Sequence, residues 1–145
     1  MSVISDLSDA ITTELNATVF SISFTAVRSY QPTFSSEDMG AGVRVDVVPV
    51  ENNGNERTAS IYAGEYVINI IVHRRITDTA SIDACVDLCE EISNHFLSKR
   101  LDVAGIGEQV INVSDIDPVA DGARLNEHKQ FVSAVRLTIF ASKSI

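Results

Sequence analysis

The first hydrophobic pattern in the chain has the period of an α-helix. Between residues 3 and 16 the apolar side chains recur at steps of three and four, and acids occupy positions between them. The apolar set is Val3, Ile4, Leu7, Ala10, Ile11 and Leu15. Such a stripe covers one face of a helix, so the pattern predicts an amphipathic helix over 3–16 with Ser2 or Ser5 as its N-cap.

At residue 19 the period changes to two, which is the repeat of a half-buried β-strand. Large apolar side chains alternate with Ser and Thr over 20–26, and valines alternate with polar residues over 43–47. Between these predicted strands, residues 31–42 contain Pro and Gly and show no period, which indicates a loop. Pro49 donates no hydrogen bond, so the second strand is expected to end there or to lie at an edge.

A long β-hairpin is predicted around 51–65. Residues 51–56, with the sequence ENNGNE, are turn formers and mark its tip. The third strand begins near Tyr62 or Tyr66 and ends at residue 75. Aliphatic residues lie on both faces of this strand, so each face needs a covering partner.

The second helical stripe predicts a helix that is capped by Asp78 or Thr79 and ends at about Arg100. Its acids fall early and its bases late, which suits the helix dipole. The apolar side consists of Ile82, Cys85, Val86, Cys89, Ile92 and Phe96. Gly105 and Gly107 break the chain behind this helix.

Two further alternations complete the element order, a short one over 109–114 and the longest one over 131–141. The order is therefore helix, three strands, helix, two strands. Short antiparallel links and one crossover through the second helix favour a single sheet. The sequence predicts an α+β fold in which residues 1–145 form one domain: a mixed, mostly antiparallel sheet, two helices packed on one face, and a long β-hairpin.

The composition narrows the classes of function. Of the 145 residues 45% are hydrophobic, which is enough for a core, and the formal net charge is −9. A protein that grips nucleic acid needs an excess of Lys and Arg, so tight DNA binding is not expected, although DNA passing nearby is compatible with this charge. Neither a membrane-span pattern nor a signal-peptide pattern is found, which predicts a protein kept in a reducing cytoplasm.

The cysteines are expected to belong to the core. Cys85 and Cys89 are one helical turn apart on the predicted apolar stripe, where thiols act as small apolar groups. The alternative is half of a metal site that His73, His95 or His128 would complete. Two thiols without a second cysteine pair at metal spacing are weak support for that alternative, so no metal is predicted.

Catalytic patterns are not found in the sequence. No phosphate loop, nucleophile elbow or dinucleotide-binding motif is present, so we predict no enzyme activity and no cofactor. The acids Asp115, Asp117 and Asp121 resemble a calcium loop only in part. The third acid falls two positions late and the closing Glu is missing, which favours solvated loop acids.

The sheet face away from the helices is the candidate interaction surface. Its aliphatic groups stand among polar ones, and either a neighbouring subunit or the chain's own loops would cover them. A mean hydropathy of +0.12 in so acidic a chain also favours oligomer interfaces. Arg28 and other strand arginines are candidates for salt bridges between subunits, with ordinary solvated charges as the alternative. The predicted oligomer-interface residues are Arg44, Asn69, His73, Arg74, Arg136 and Phe140.

The order of elements resembles that of the tail terminator (tail completion) proteins of long-tailed bacteriophages. The resemblance covers nearly the whole chain: a short N-terminal helix, the hairpin, the helix at 79–100 and a late strand pair. The segments QVINVSDIDP at 109–118 and FVSAVRLTI at 131–139 look like the C-terminal half of that family. The resemblance carries over no single functional residue.

This resemblance implies a virion structural protein of the tail–neck region that is assembled in the host cytoplasm. It implies a ring, usually a hexamer, that caps the tail tube, ends tube polymerisation and offers a docking surface for the filled head. The implied partners are further copies of the chain, the tail tube protein and a head-closure or connector protein, with DNA passing through the lumen without specific binding. The expected contacts with tube or connector are Asn52, Asn53, Asn55, Glu56, Glu37 and Asp38.

Two other functions stay open at the level of sequence. Other neck proteins of the head–tail joint, which act in head closure or as adaptors, have a similar size and pattern. A small homo-oligomeric ligand-binding domain or enzyme would instead hold a small molecule between sheet and helices.

Overall fold

A computed structural model gives the fold of most of the chain. It describes residues 2–30, 42–53, 56–57, 61–76, 78–97, 99–117, 119–123, 125 and 129–144. The elements within these ranges are α1 (Val3–Ala17), β1 (Ala26–Arg28), β2 (Arg44–Asn52), β3 (Glu56–Arg57), β4 (Ile61–Arg75), α2 (Thr79–Phe96), β5 (Ile106–Ile116) and β6 (Gln130–Ser144). The fold is α+β, as the sequence predicts.

The strands form one sheet in the order β1-β2-β4-β6-β5, and β3 pairs with the first residues of β4. β1 runs parallel to β2, whereas the other strand pairs are antiparallel. The two central strands pair along their whole length, from Ile61 opposite Ser144 to Arg75 opposite Gln130. The prediction of a mixed, mostly antiparallel sheet is confirmed.

Both helices pack on the same face of this sheet, and the core lies between them. α1 packs on β1 and β2, and α2 packs on β4, β5 and β6. Removing a Leu or Ile side chain from water contributes about 1.5–3 kcal/mol. The fully buried sheet residues include Val47, Ile68, Ile70, Val72, Phe131, Val135, Leu137 and Ile139, and the helices add Leu7, Ile11, Leu15, Cys85, Leu88, Cys89, Ile92 and Phe96.

The second helix begins where predicted but ends earlier. The Asp78 carboxylate accepts a 2.7 Å hydrogen bond from the backbone N–H of Ser81, which makes Asp78 the N-cap. The helix ends at Phe96 and not near Arg100, so the predicted end is wrong. The reason is that Leu101 is buried, and its backbone N–H and C=O bond the side-chain amide of Gln109 at 3.3 and 3.2 Å. A continued helix would carry Leu101 away from this contact.

The predicted strand over 20–26 is wrong, because only Ala26–Arg28 joins the sheet. The segment between α1 and β1 packs against α2 instead. Ser21 donates hydrogen bonds from its backbone N–H and its hydroxyl to the Glu91 carboxylate. The amide of Asn16 bonds the backbone N–H and C=O of Ala26 at 2.7 and 3.1 Å, which fixes the point where pairing begins.

The predicted hairpin is present, but the stretch 51–56 is not its tip. β2 extends past Pro49 to Asn52, with a register shift just after the proline. Pairing with β4 continues through Asn53, whose N–H bonds the Glu65 carbonyl, and through β3. Pro49 lies beyond the residues of β2 that pair with β1, so its missing N–H interrupts no ladder within the described residues.

β5 is longer than the predicted strand over 109–114, since it runs from Ile106 to Ile116. The turn before it uses Gly105, whose φ of +80° lies in the left-handed region that favours glycine. Gly107 packs closely on β6, because a Cβ at this position would lie 3.1 Å from the Ser142 hydroxyl. The two glycines therefore start the strand rather than only separating it from the helix.

Candidate functional site

We call the sheet surface opposite the helices the open face. Its side chains alternate with the core residues along β2, β4, β5 and β6, and the strand register places them side by side. The open face includes Arg44, Asp46, Val48, Glu65, Val67, Asn69, Ile71, His73, Val110, Asn112, Val132, Ala134, Arg136, Thr138 and Phe140. The two ends of this face differ sharply in exposure.

The polar end of the open face is built around Asp46 and His73. They are diagonal neighbours on β2 and β4, because Asp46 lies opposite Ile71 and His73 lies opposite Arg44. The Nε2 of His73 lies 2.5 Å from the Asp46 Oδ2, and the two side chains are 0% and 5% exposed. This end is buried within the single chain. Of the two expected covers, a neighbouring subunit or the chain's own residues, the second therefore applies here.

The middle of the open face is partly buried. Val67 is buried although it lies outside the main core cluster. The side-chain oxygen of Asn69 is buried and accepts no hydrogen bond from the described part of the chain. A buried polar atom without a hydrogen-bond partner lowers the stability of the fold. The packing of the described residues therefore does not explain why an Asn occupies position 69.

The apolar end of the open face is exposed. Val110 lies directly opposite Phe140 in the β5–β6 pairing, and their side chains are 65% and 53% exposed. Glu65 flanks Phe140 on the other side, across the β4–β6 pairing. β5 is the last strand of the sheet among the described residues, so this apolar pair lies beside a sheet edge. Adjacent exposed apolar side chains of this kind are typical of interaction surfaces.

Five of the six predicted interface residues lie on the open face, and Arg74 does not. Arg74 is opposite Phe131 and in phase with Val72, so it lies on the helix-bearing face, where its guanidinium interacts with the Cys85 thiol. Arg28 also bonds within the chain, with its Nε 3.2 Å from the Asp9 carboxylate. Participation of the predicted residues in an oligomer interface stays a prediction.

The predicted tube contacts fall at the end of β2 and beyond it. Asn52 and Asn53 are exposed, and the Asn53 side chain donates a 3.1 Å hydrogen bond to the Glu51 carboxylate. The backbone of Glu56 belongs to β3. The remaining positions, Asn55, Glu37 and Asp38, lie outside the described residues.

A pocket of about 190 Å³ lies at the opposite edge of the sheet, where the chain passes from α1 to β1. The Phe20 and Phe24 rings stack at 5.5 Å between centroids, and Phe20 meets the His95 ring edge-on at 5.7 Å. Val19, on the pocket wall, is 96% exposed. The lining residues are Leu15, Asn16, Thr18, Val19, Phe20, Ile22, Ser23 and Phe24.

An ionic cluster stands next to this pocket. Glu14 Oε1 lies 2.8 Å from His95 Nε2 and 3.0 Å from Lys99 Nζ. Hydrogen bonds from Lys99 and then from His95 hold the pKa of Glu14 below its ordinary value. The cluster ties the end of α1 to the end of α2 and to Lys99 just after it.

The cysteine pair forms no metal centre with the other described residues. Both cysteines are buried, and burial raises the pKa of the Cys89 thiol to about 11, which disfavours the reactive thiolate. The described residues contain no group of three His, Cys, Asp or Glu side chains placed to hold a metal ion. Among the helices described, none has the length and apolar character needed to cross a membrane.

Comparison with known proteins gives a structural match but no sequence match. No model of a known protein family matches the sequence, and no curated protein matches it either. A chain from the virion of a native gene transfer agent (GTA) particle has a similar structure, with a TM-score of 0.59 and 14% identity over 100% of both chains. Another solved chain matches 94% of this one at a TM-score of 0.46, which is too low to carry an argument. The first match establishes a shared fold.

Sequence reasoning missed three features of this site: the Asp46–His73 pair, the exposed position of Val110, and the pocket beside Phe20. Asp46 and His73 occupy alternate positions to the core residues of their strands, which indicates that they share the face opposite the core. Their contact depends on the register between β2 and β4, however, and that register is not visible from either strand alone. The pocket was hidden because 20–26 has the pattern of a strand.

Proposed function

We propose that this protein is a structural component of a phage-like virion. Its more specific role in this proposal is a homo-oligomeric ring that caps the tail tube, ends tube polymerisation and presents a docking surface to the head. The main support is the fold shared with a virion chain over the full length of both proteins. The resemblance in element order to tail terminators supports the specific role.

The charge of the protein suits a passage for DNA. With a formal net charge of −9, the chain repels the phosphate backbone, so DNA sliding through a ring of such subunits would not adhere to it. In this proposal the ring makes its contacts with proteins and leaves the DNA unbound.

The decisive experiment is negative-stain imaging combined with mass determination on the purified protein, alone and with purified tails. We expect rings of roughly 94 kDa, six times the 15.7 kDa chain, and rings at the ends of tail tubes. A compact dimer that does not bind the ends of tail tubes would contradict the proposal. A small molecule retained stoichiometrically in native mass spectrometry would support the ligand-binding alternative instead.

The contact with the tube is tested by alanine substitution at Asn52 and Asn53, which are exposed at the end of β2. We expect tube capping to weaken while ring formation persists. The matched control replaces Asp83 and Asp87, exposed acids of α2, and should leave capping unchanged. Equal capping by both variants would exclude this part of the hairpin as the contact with the tube.

A further inference from the structure

One position at the end of β2 combines an exposed side-chain amide with a following residue that has no side chain. Asn53 is exposed, and Gly54 follows it in the sequence. Every other asparagine of the chain precedes a residue that carries a side chain. Because glycine lacks a Cβ, its backbone nitrogen can approach a neighbouring side-chain carbon with little steric hindrance.

We infer that Asn53 is a site of spontaneous deamidation. In this reaction the backbone nitrogen of Gly54 bonds to the side-chain carbonyl carbon of Asn53. The proton of that nitrogen passes through solvent to Nδ2, which leaves as ammonia, and the chain closes into a cyclic succinimide. Water then opens the ring at either of its carbonyl groups. The product at position 53 is an aspartate or an isoaspartate, so a neutral amide becomes a carboxylate with water as the only co-reactant.

The strand pairing beside Asn53 is not a regular ladder. On one side of it Asn52 lies opposite Tyr66, and on the other side Glu56 lies opposite Ala63, so the register shifts by one residue between these two pairs. A regular antiparallel ladder holds the peptide groups of successive residues in place, whereas a register shift interrupts this order. Regular pairing therefore does not hold the Asn53 side chain and the following peptide nitrogen apart.

The Asn53 side chain is hydrogen-bonded only through its nitrogen. Nδ2 donates a 3.1 Å hydrogen bond to the Glu51 carboxylate, and this is the one hydrogen bond that the side chain makes with the described residues. Asn16 differs, because its amide bonds both the backbone N–H and the C=O of Ala26, at 2.7 and 3.1 Å. A side chain fixed through both polar atoms cannot turn toward the next backbone nitrogen, so Asn16 should keep its amide.

Deamidation changes the electrostatics at the end of β2. Nδ2 of Asn53 lies 3.1 Å from the Glu51 carboxylate, so a carboxylate oxygen in its place replaces a hydrogen bond with like-charge repulsion. The reaction therefore loosens this end of the strand and adds a negative charge to the proposed contact with the tube. The deamidation is independent of the proposed function, whereas its effect on tube capping rests on that function.

The test is incubation of the purified chain at mildly alkaline pH, followed by peptide mass spectrometry and an enzymatic isoaspartate methylation assay. We expect an amide-to-acid mass change and an isoaspartate signal in the peptide that contains Asn53. The peptide of Asn112, which is also exposed but precedes a valine, should keep its amide. Gly54→Ala places a Cβ on the attacking residue and should slow the conversion by about tenfold, which corresponds to a barrier about 1.4 kcal/mol higher. Asn53→Gln is the matched control and should give no acid, because glutamine would have to close a larger ring.

An Asn53 peptide that keeps its amide, or a conversion that Gly54→Ala does not slow, would overturn the inference. Equal conversion at Asn112 would also overturn it, because exposure alone would then select the site. The variant Asn53→Asp carries the charge of the product and should weaken tube capping while rings persist. If this variant caps like the wild type, the deamidation stands and its effect on the tube contact is wrong. If the wild type itself does not cap tubes, the proposed function fails and the deamidation result is unaffected.

Discussion

The two ends of the open face differ in how far the chain buries their side chains. At the polar end, the hydrogen-bonded side chains of Asp46 and His73 are buried within the chain, 5% and 0% exposed. At the apolar end, Val110 and Phe140 lie in water although burial would stabilise them. Both ends belong to one continuous surface, and β4 and β6 run through both of them.

This difference indicates that the two ends of the open face have different roles. Burying polar groups costs desolvation that close partners must offset, so the polar end contributes to the fold through the contact between His73 and Asp46. Exposed apolar side chains contribute nothing to a monomer and are useful once another surface covers them. The polar end should therefore govern stability, and the apolar end should govern association.

The largest expected effect is at His73. The substitution His73→Leu leaves the buried Asp46 carboxylate without this partner, so we expect a loss of about 3 kcal/mol in the free energy of unfolding. Urea denaturation at low protein concentration measures it. The double variant Asp46→Leu/His73→Leu is the control, and it should be more stable than the single variant because it leaves no buried carboxyl group without this partner. A single variant as stable as the wild type would show that the polar end does not govern stability.

A smaller effect of opposite sign is expected at Asn69. Its buried oxygen accepts no hydrogen bond from the described residues, so Asn69→Val removes a cost and should raise the free energy of unfolding by about 1 kcal/mol. Asn112→Val, an exposed amide on the same face, should change stability very little. Destabilisation by Asn69→Val would mean that this amide has a structural partner after all.

A substitution at the partly exposed Glu14 tests whether burial determines how much a polar contact contributes to the free energy of unfolding. Lys99 and His95 lower the pKa of Glu14. The ionised Glu14 therefore contributes fully to the free energy of unfolding above the ordinary carboxyl pKa, and this contribution is lost as the pH falls through the lowered pKa. Glu14→Gln should flatten the acid side of the stability–pH curve. The change should be well below that at His73, because solvent screens the pair. Unfolding midpoints measured from neutral to acid pH test this, and an unchanged curve would contradict it.

The smallest effect on stability is expected at the apolar end. Phe140→Ser should change the free energy of unfolding of the monomer by no more than about 0.5 kcal/mol, since the ring is largely in water. Leu137→Ala, on the same strand but buried in the core, should cost about 3 kcal/mol and serves as the comparison. A large loss at Phe140 would mean that the apolar end also supports the fold.

The sequence by itself determined the elements whose pattern is long and regular. The apolar stripes of α1 and α2 show which side of each helix faces the core, and the alternations of β4 and β6 show which side chains share a face, because the helix and strand periods follow from backbone geometry. The α+β class and the two-faced sheet follow from the order of these elements. The Asp78 cap was also readable, since an Asp before a helix accepts hydrogen bonds from its first turn.

Only the tertiary structure decided the features that depend on partners distant in sequence. Residues 20–26 have the alternation of a strand, yet most of this segment lies outside the sheet because it contacts Glu91 and His95 of α2. The same segment lines a pocket. The burial of Asp46 with His73 and the exposure of Phe140 follow from register and position in the sheet, which no local pattern contains. Local periodicity states which side chains share a face, whereas packing across the whole chain determines which part of that face is covered.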